Sequence, residues 1–289
     1  MSPRRPPWQE FKAALEALGF HPSKRLGQNF MLDVNTARAI VADADLEPAS
    51  RVLEIGVGCG FLSCEILAAG HHLVGVEIDR RLFSVASDFL RPFAEELPGS
   101  VELLRLDALA KKRAIEPAVL ARLPKEGPWH LVSNLPYSVA SPLLVSLSRL
   151  ANPPRSMTAL VQLEVAERIA AAPGQDAWGG LSAKLGLLYT ARLVRRVGPN
   201  LFWPPPKVDS AVARLELLPE PRPSTAEIAA TDELIDACFQ ARRKTLRSTL
   251  GRHFASRDLA ETRLADAGLD PQTRPASLGP KEFLTLSGF

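Results

Sequence analysis

Val52-Leu53-Glu54-Ile55-Gly56-Val57-Gly58-Cys59-Gly60 is the stretch that decides the fold: a short strand-forming run enters a glycine loop, and a helical pattern begins near Gly60. Glycine lets a backbone approach a ligand closely and adopt angles that a side chain would strain. The spacing is GxGxG. A dinucleotide fingerprint would need glycine at position 61, where Phe61 stands.

Working outward, apolar runs alternate with helical patterns. Arg51–Ile55, His72–Val76, Val101–Leu106, Trp129–Ser133 and Met157–Gln162 read as strands, with helices beginning near Gly60, Asp79, Ile115 and Ser141. This alternation predicts an α/β fold with a mostly parallel sheet wrapped by helices. Val208–Leu217 reads as a late strand that could run antiparallel, and Pro219 to Ser224 as a linker. Upstream, Trp8–Leu18 and Asn35–Asp45 read as helices. Thr225 to Phe289 is helical in pattern, with a break at Pro271–Pro275. The expected domains are therefore 1–218 and 225–289.

The strand ends carry the chemistry. An acid about 20 residues after the glycine loop is where doubly wound folds hold ribose hydroxyls. In Val76-Glu77-Ile78-Asp79, Glu77 takes that role and Asp79 caps the next helix. In Leu106-Asp107-Ala108, the Asp107 carboxylate can accept from an adenine amino group. The loop spacing favours S-adenosylmethionine, which has no pyrophosphate to seat on a helix N-terminus, over NAD.

Asn134-Leu135-Pro136-Tyr137 follows the apolar run Trp129–Ser133. It sets an amide, a free backbone carbonyl and an aromatic face at the mouth of a strand. The Asn134 side-chain oxygen and the Leu135 carbonyl can both accept from an exocyclic amine. Pro136 fixes one dihedral and brings no competing N–H, and Tyr137 can stack on a flat base.

Bulk properties exclude several classes. The chain has 289 residues and a formal charge of +3, too small by itself to demand a polyanionic partner. Its distribution says more: Ala237 to Arg257 holds no acid but contains Arg242, Arg243, Lys244, Arg247, Arg252 and Arg257. The 3 cysteines, Cys59, Cys64 and Cys238, form no CxxC pair, which argues against a disulfide framework or a zinc site. Cys59 reads as a loop filler, and the 5 histidines form no ligand-spaced cluster. With no secretory pattern at the N-terminus and no apolar run of spanning length, a cytoplasmic protein with no membrane or metal partner is expected.

Five blocks together resemble the rRNA adenine N6-dimethyltransferases of the KsgA type. They are Lys24-Arg25-Leu26-Gly27-Gln28-Asn29-Phe30, Glu54–Gly58, Asn134–Tyr137, Phe202-Trp203-Pro204-Pro205-Pro206-Lys207-Val208-Asp209-Ser210-Ala211-Val212, and Gln240-Ala241-Arg242-Arg243-Lys244-Thr245-Leu246-Arg247. The resemblance implies a class I, Rossmann-like methyltransferase with a mostly parallel seven-stranded sheet and a small C-terminal helical domain that binds RNA. It implies S-adenosyl-L-methionine as donor, contacted by Gln28, Asn29, the Met31 backbone, Gly56, Gly58, Glu77, Asp107, Ala108 and Asn134. Phe202 would sandwich the target base opposite Tyr137. The acceptors would be two adjacent adenosines near the 3′ end of 16S (small-subunit) rRNA, each dimethylated within a pre-30S particle, by an enzyme acting as a monomer. Two positions depart from the usual pattern: Met31 stands where Leu is common, and Val57-Gly58-Cys59 varies the glycine loop while keeping both glycines.

RNA would be gripped by a helix running through Phe239 to Leu250, with Arg243, Lys244 and Arg247 along one side as phosphate contacts. Arg192, Arg195 and Arg196 would extend that surface. Three alternatives stay open. One is a large-subunit rRNA adenine N6-methyltransferase, and another an assembly factor acting mainly by binding. The third, a DNA adenine methyltransferase, would usually carry Asp-Pro-Pro-Tyr, which is absent.

Overall fold

The computed structural model describes residues 5–23, 28–31, 33–110, 114–136 and 139–288. Lys24 to Gly27 and Tyr137, singled out above, lie outside the described residues. In chain order the elements are α1 (Trp8–Ala17), β1 (Phe30–Met31), α2 (Val34–Asp43), β2 (Arg51–Ile55), α3 (Phe61–Ala68), β3 (His72–Glu77), α4 (Arg80–Glu96) and β4 (Val101–Arg105). A small ladder follows, β5 (Leu109–Ala110) with β6 (Ala114–Ile115), and then α5 (Pro117–Leu120), β7 (His130–Asn134), α6 (Ala140–Ser148), β8 (Ser156–Gln162) and α7 (Leu163–Ala170). The chain continues through α8 (Gly180–Gly186), β9 (Tyr189–Val197), β10 (Phe202–Trp203) and β11 (Ser210–Leu217). It ends in α9 (Thr225–Gln240), α10 (Leu246–His253), α11 (Arg257–Asp266) and α12 (Pro280–Ser287).

The main sheet has seven strands in the order β4-β3-β2-β7-β8-β11-β9. β4, β3, β2, β7 and β8 pair in parallel, and β11 runs antiparallel to β8. Central strands buried on both faces explain the near-continuous apolar runs seen in the sequence, such as Leu131, Val132, Ala159, Leu160 and Val161. β2 lies between β3 and β7, so their C-terminal ends, which carry Gly56, Glu77 and Asn134, emerge along one edge. Ligands of open α/β sheets bind at that edge.

The chain forms two compact units: Met1–Ala166 with Arg192–Glu216, and Glu167–Ala191 with Leu217–Phe289. The division differs from the expected 1–218 and 225–289 in the segment Glu167–Ala191. Long-range contacts hold that segment to the C-terminal helices. Lys184 Nζ lies 2.7 Å from Asp236 Oδ2, and the Gly174 N–H donates to the Ala276 carbonyl at 2.9 Å. Gly180 packs directly beneath Phe239 and Ile235. None of this is visible in local sequence pattern.

The expected helix through Phe239 to Leu250 is broken. α9 ends at Gln240, a turn spans 241–245, and α10 starts at Leu246. Thr245 is extended and its hydroxyl caps α10, while the Lys244 N–H closes a turn on the Ala241 carbonyl at 2.7 Å. Arg242, Arg243 and Lys244 therefore sit on an exposed turn and not along one helical stripe.

Among the described residues no helix is long and apolar enough to cross a membrane, and no group of three or more His, Cys, Asp or Glu side chains could hold a metal ion.

Candidate active site

A cavity in the first unit is lined by residues from the glycine loop and the neighbouring strand ends, with Gln28, Asn29, Phe30 and Met31 forming one wall. Gly56 (φ +78°) and Gly58 (φ +61°) occupy left-handed backbone that a side chain rarely adopts. A Cβ at Gly56 would stand 3.3 Å from Pro136 Cδ, and one at Gly58 3.4 Å from the Phe30 ring. The loop thus runs close against Pro136 and Phe30, in a backbone conformation suited to glycine.

Glu77 is held from both sides. The Gly58 N–H donates to Oε2 at 2.7 Å and the Asp79 N–H to Oε1 at 2.8 Å. Burial pushes its carboxyl pKa above the ordinary value, against these hydrogen bonds. Asp79 caps α4 as its position suggested, accepting from the Arg81 and Leu82 N–H groups. Asp107 Oδ1 accepts the Leu109 N–H at 3.0 Å, which aligns the carboxylate just beyond β4. Ala108 and Leu109 are buried, whereas Ile78 is 49 % exposed, and all three line the cavity. Ile78 and Leu109 escaped the sequence reading. The available signal was an apolar residue close behind each strand-end acid, directly after Glu77 and two positions after Asp107.

This set fits S-adenosylmethionine. Carboxylates at Glu77 and Asp107 match hydroxyls and an amine, the apolar side chains at 78 and 109 match a purine face, and the glycines leave backbone for the amino-acid end.

At the other side of the cavity, the Ser133 hydroxyl bonds the Ile55 carbonyl at 2.6 Å, and the Leu135 N–H bonds the Leu160 carbonyl at 3.0 Å. These bonds tie the motif to β2 and β8. The Leu135 side chain is buried, so its carbonyl is placed by a fixed anchor. Asn134 Nδ2 donates to the Asn29 carbonyl at 3.3 Å, which turns its amide nitrogen toward the wall formed by Gln28 to Met31.

Glu54, also in the lining, is 1 % exposed and accepts the Ser63 hydroxyl at 2.6 Å. Burial raises its pKa to about 8. Cys59 is buried and its thiol is pushed up to about 12, so it is inert at neutral pH.

The sequence model of the family described as ribosomal RNA adenine dimethylase matches residues 19–287. The chain belongs to that family. It is 39% identical over 270 residues to the ribosomal RNA small subunit methyltransferase A of Thermobifida fusca (strain YX), covering 93% of this chain and 91% of that protein. It is 40% identical over 282 residues to the protein of the same name from Nocardia farcinica (strain IFM 10152), covering 96% and 93%. Among solved structures it resembles the 23S rRNA methyltransferase ErmE, with 27% identity, a TM-score of 0.65 and coverage of 89% and 98%. A dimethyladenosine transferase from Plasmodium falciparum shares the fold at 22% identity, with a TM-score of 0.72 and coverage of 89% and 95%.

In this dimethylase-family chain the structure does not present Phe202 as an open face. Phe202 is 2 % exposed, sits in the hydrophobic core and pairs with Met31 across the β1–β10 ladder. It is not among the described residues lining the cavity. The prolines after it do stiffen the segment, but the strand pairing turns position 202 inward. The basic positions also meet partners from afar: Arg242 donates to the Asp176 carbonyl at 3.0 Å, and Arg247 lies 2.6 Å from Glu261. Arg195 is forked onto Asp43, with one bond of 2.8 Å, so it braces α2. Arg243 and Lys244 are exposed.

Proposed function

We propose that this chain is an S-adenosylmethionine-dependent rRNA adenine N6-dimethyltransferase. It acts as a monomer on two adjacent adenosines near the 3′ end of 16S rRNA, in a pre-30S particle. The observation that carries the reading is the hydrogen bond from Asn134 Nδ2 to the Asn29 carbonyl. It leaves Asn134 Oδ1 to serve as an acceptor together with the carbonyl of the next residue, Leu135.

The bound donor supplies an electrophilic methyl group on its sulfonium. Adenine N6 is a weak nucleophile because its lone pair is delocalised into the ring. Two acceptors, Asn134 Oδ1 and the Leu135 oxygen, take its two N–H groups and favour a pyramidal nitrogen with an available lone pair. Gly56 and Pro136, in near contact, keep acceptor and donor sites adjacent, so alignment supplies most of the assistance. After transfer the cationic nitrogen loses its proton to water. Glu77 and Asp107 hold ribose and adenine, with Gln28, Asn29, Met31 and Ala108 completing the wall. Tyr137 stacks on the target base, which must leave its own stack to enter, a cost of a few kcal/mol in a duplex. Arg243 and Lys244 meet phosphates, with Arg242 and Arg247 beside them.

The relatives of about 40% identity are named for the small subunit, whereas the 23S enzyme shares 27%. This favours the small-subunit acceptor. The test is nucleoside digestion of under-methylated small subunits after reaction. N6,N6-dimethyladenosine is expected; an unchanged digest contradicts the reading.

A further inference from the structure

The cavity wall formed by Gln28 to Met31 is attached by little backbone. β1 and β10 pair over two residues each, Phe30 with Trp203 and Met31 with Phe202. A ladder that short is marginal in water by itself, so side chains must fix its position. An aromatic cluster supplies them. Trp203 lies 6.0 Å from Phe30 between ring centroids, Trp8 stacks on Phe30 at 6.4 Å, and Trp8 meets Trp203 at 6.0 Å. Such ring pairs add attraction beyond the area they bury. On its inner side the Phe30 ring faces Gly58. The preceding residue, Asn29, offers the carbonyl that receives Asn134 Nδ2.

We propose that Trp203 is a positioning residue: through Phe30 it holds the Asn29 carbonyl on the Asn134 amide and so keeps Asn134 Oδ1 turned toward the acceptor amine. Its action is one step removed from the chemistry, because Trp203 is outside the described cavity lining. Simple core packing would place an aromatic cluster anywhere in the unit. Here the cluster clamps a strand pair whose Phe30 ring faces Gly58 and whose preceding residue, Asn29, bonds Asn134. The inference rests on the methyltransferase reading for its kinetic consequence and stands without it for its structural one.

The test uses Trp203→Ala, Trp203→Leu and Trp203→Phe in the full chain. The first readout is the 15N–1H signal of the Asn134 side-chain amide, assigned by its loss in Asn134→Asp. In Trp203→Ala the signal should move toward that of a solvent-exposed asparagine, and in Trp203→Phe it should stay near the wild-type position. Trp203→Leu, which keeps apolar volume, answers the question if the Ala variant does not fold. The second readout is methyl transfer. Trp203→Ala, or Leu in its place, should lower kcat about tenfold or more, while S-adenosylhomocysteine affinity falls less than about threefold; Phe should retain most of the rate. An unmoved amide signal in both the Ala and Leu variants overturns the proposal, as does a kcat loss matched by equal loss of donor affinity. A moved signal in a protein that methylates nothing would keep the positioning role and remove the proposed function instead.

Discussion

Asn134 Nδ2 donates to the Asn29 carbonyl across 105 residues of chain, joining the amide at the end of β7 to the wall before β1. One hydrogen bond thereby decides which end of the amide faces the acceptor. Asn134→Ala should lower kcat about 10²–10³-fold, the scale seen when one preorganised hydrogen-bonding group is removed from a reaction site. Thermal stability should change little, since Asn134 is only half-buried. Single-turnover transfer beside a melting curve separates the two. A variant within a few-fold of wild type would remove Asn134 from the mechanism.

Gly56→Ala strains a backbone at φ +78° and directs its methyl group at Pro136. A loss of about 1–3 kcal/mol in stability is expected, with S-adenosylhomocysteine binding weakened at least tenfold by calorimetry. Unchanged affinity would show that the loop does not shape the donor site.

Glu54 provides a pH prediction. Its folded pKa, about 8, lies above the ordinary 4.5, so the folded chain binds its proton more tightly than the unfolded chain does. Its contribution is most favourable below the unfolded value and declines as pH rises toward about 8. Glu54→Gln keeps an acceptor for Ser63 and has no charge to bury. Melting temperatures from about pH 5 to pH 9 should fall more steeply for wild type than for the variant. Parallel curves would mean that Glu54 is ionised without cost.

The parts legible in the sequence are those where one local pattern has one structural outcome. The strand, glycine loop and helix from Arg51 to Ala68 are of this kind, as is the Asp79 cap. Glu77 and Asp107 could be placed at strand ends because apolar runs stop there. The fate of Phe202 could not be read, since a proline-stiffened segment fixes direction but not which face the β1 pairing turns inward. The break after Gln240 was hidden for a similar reason. Ala241 to Arg247 contains good helix formers, and the turn is imposed from elsewhere: Leu246 N–H bonds the Thr273 carbonyl at 2.8 Å and Arg247 N–H the Pro271 carbonyl at 3.1 Å. Glu261 beside Arg247 likewise lies beyond the acid-free window. β9, with exposed arginines at 192, 195 and 196, gave no clear apolar alternation to read.

Arg243→Ala and Lys244→Ala should each reduce the slope of log affinity against log salt for RNA by about 0.7–0.9 if each neutralises one phosphate. Donor affinity should stay unchanged. Filter binding across a salt series reads the slope directly. A slope equal to wild type in both variants would assign the turn to solvent.

The most direct test of the whole account is tritium transfer from labelled S-adenosylmethionine, offered in parallel to small subunits lacking adenine methylation, to large-subunit RNA and to DNA. The account predicts label only in the small subunits, recovered as N6,N6-dimethyladenosine and lost in Asn134→Ala. Label in large-subunit RNA or DNA, or small subunits bound tightly without any label, would contradict it.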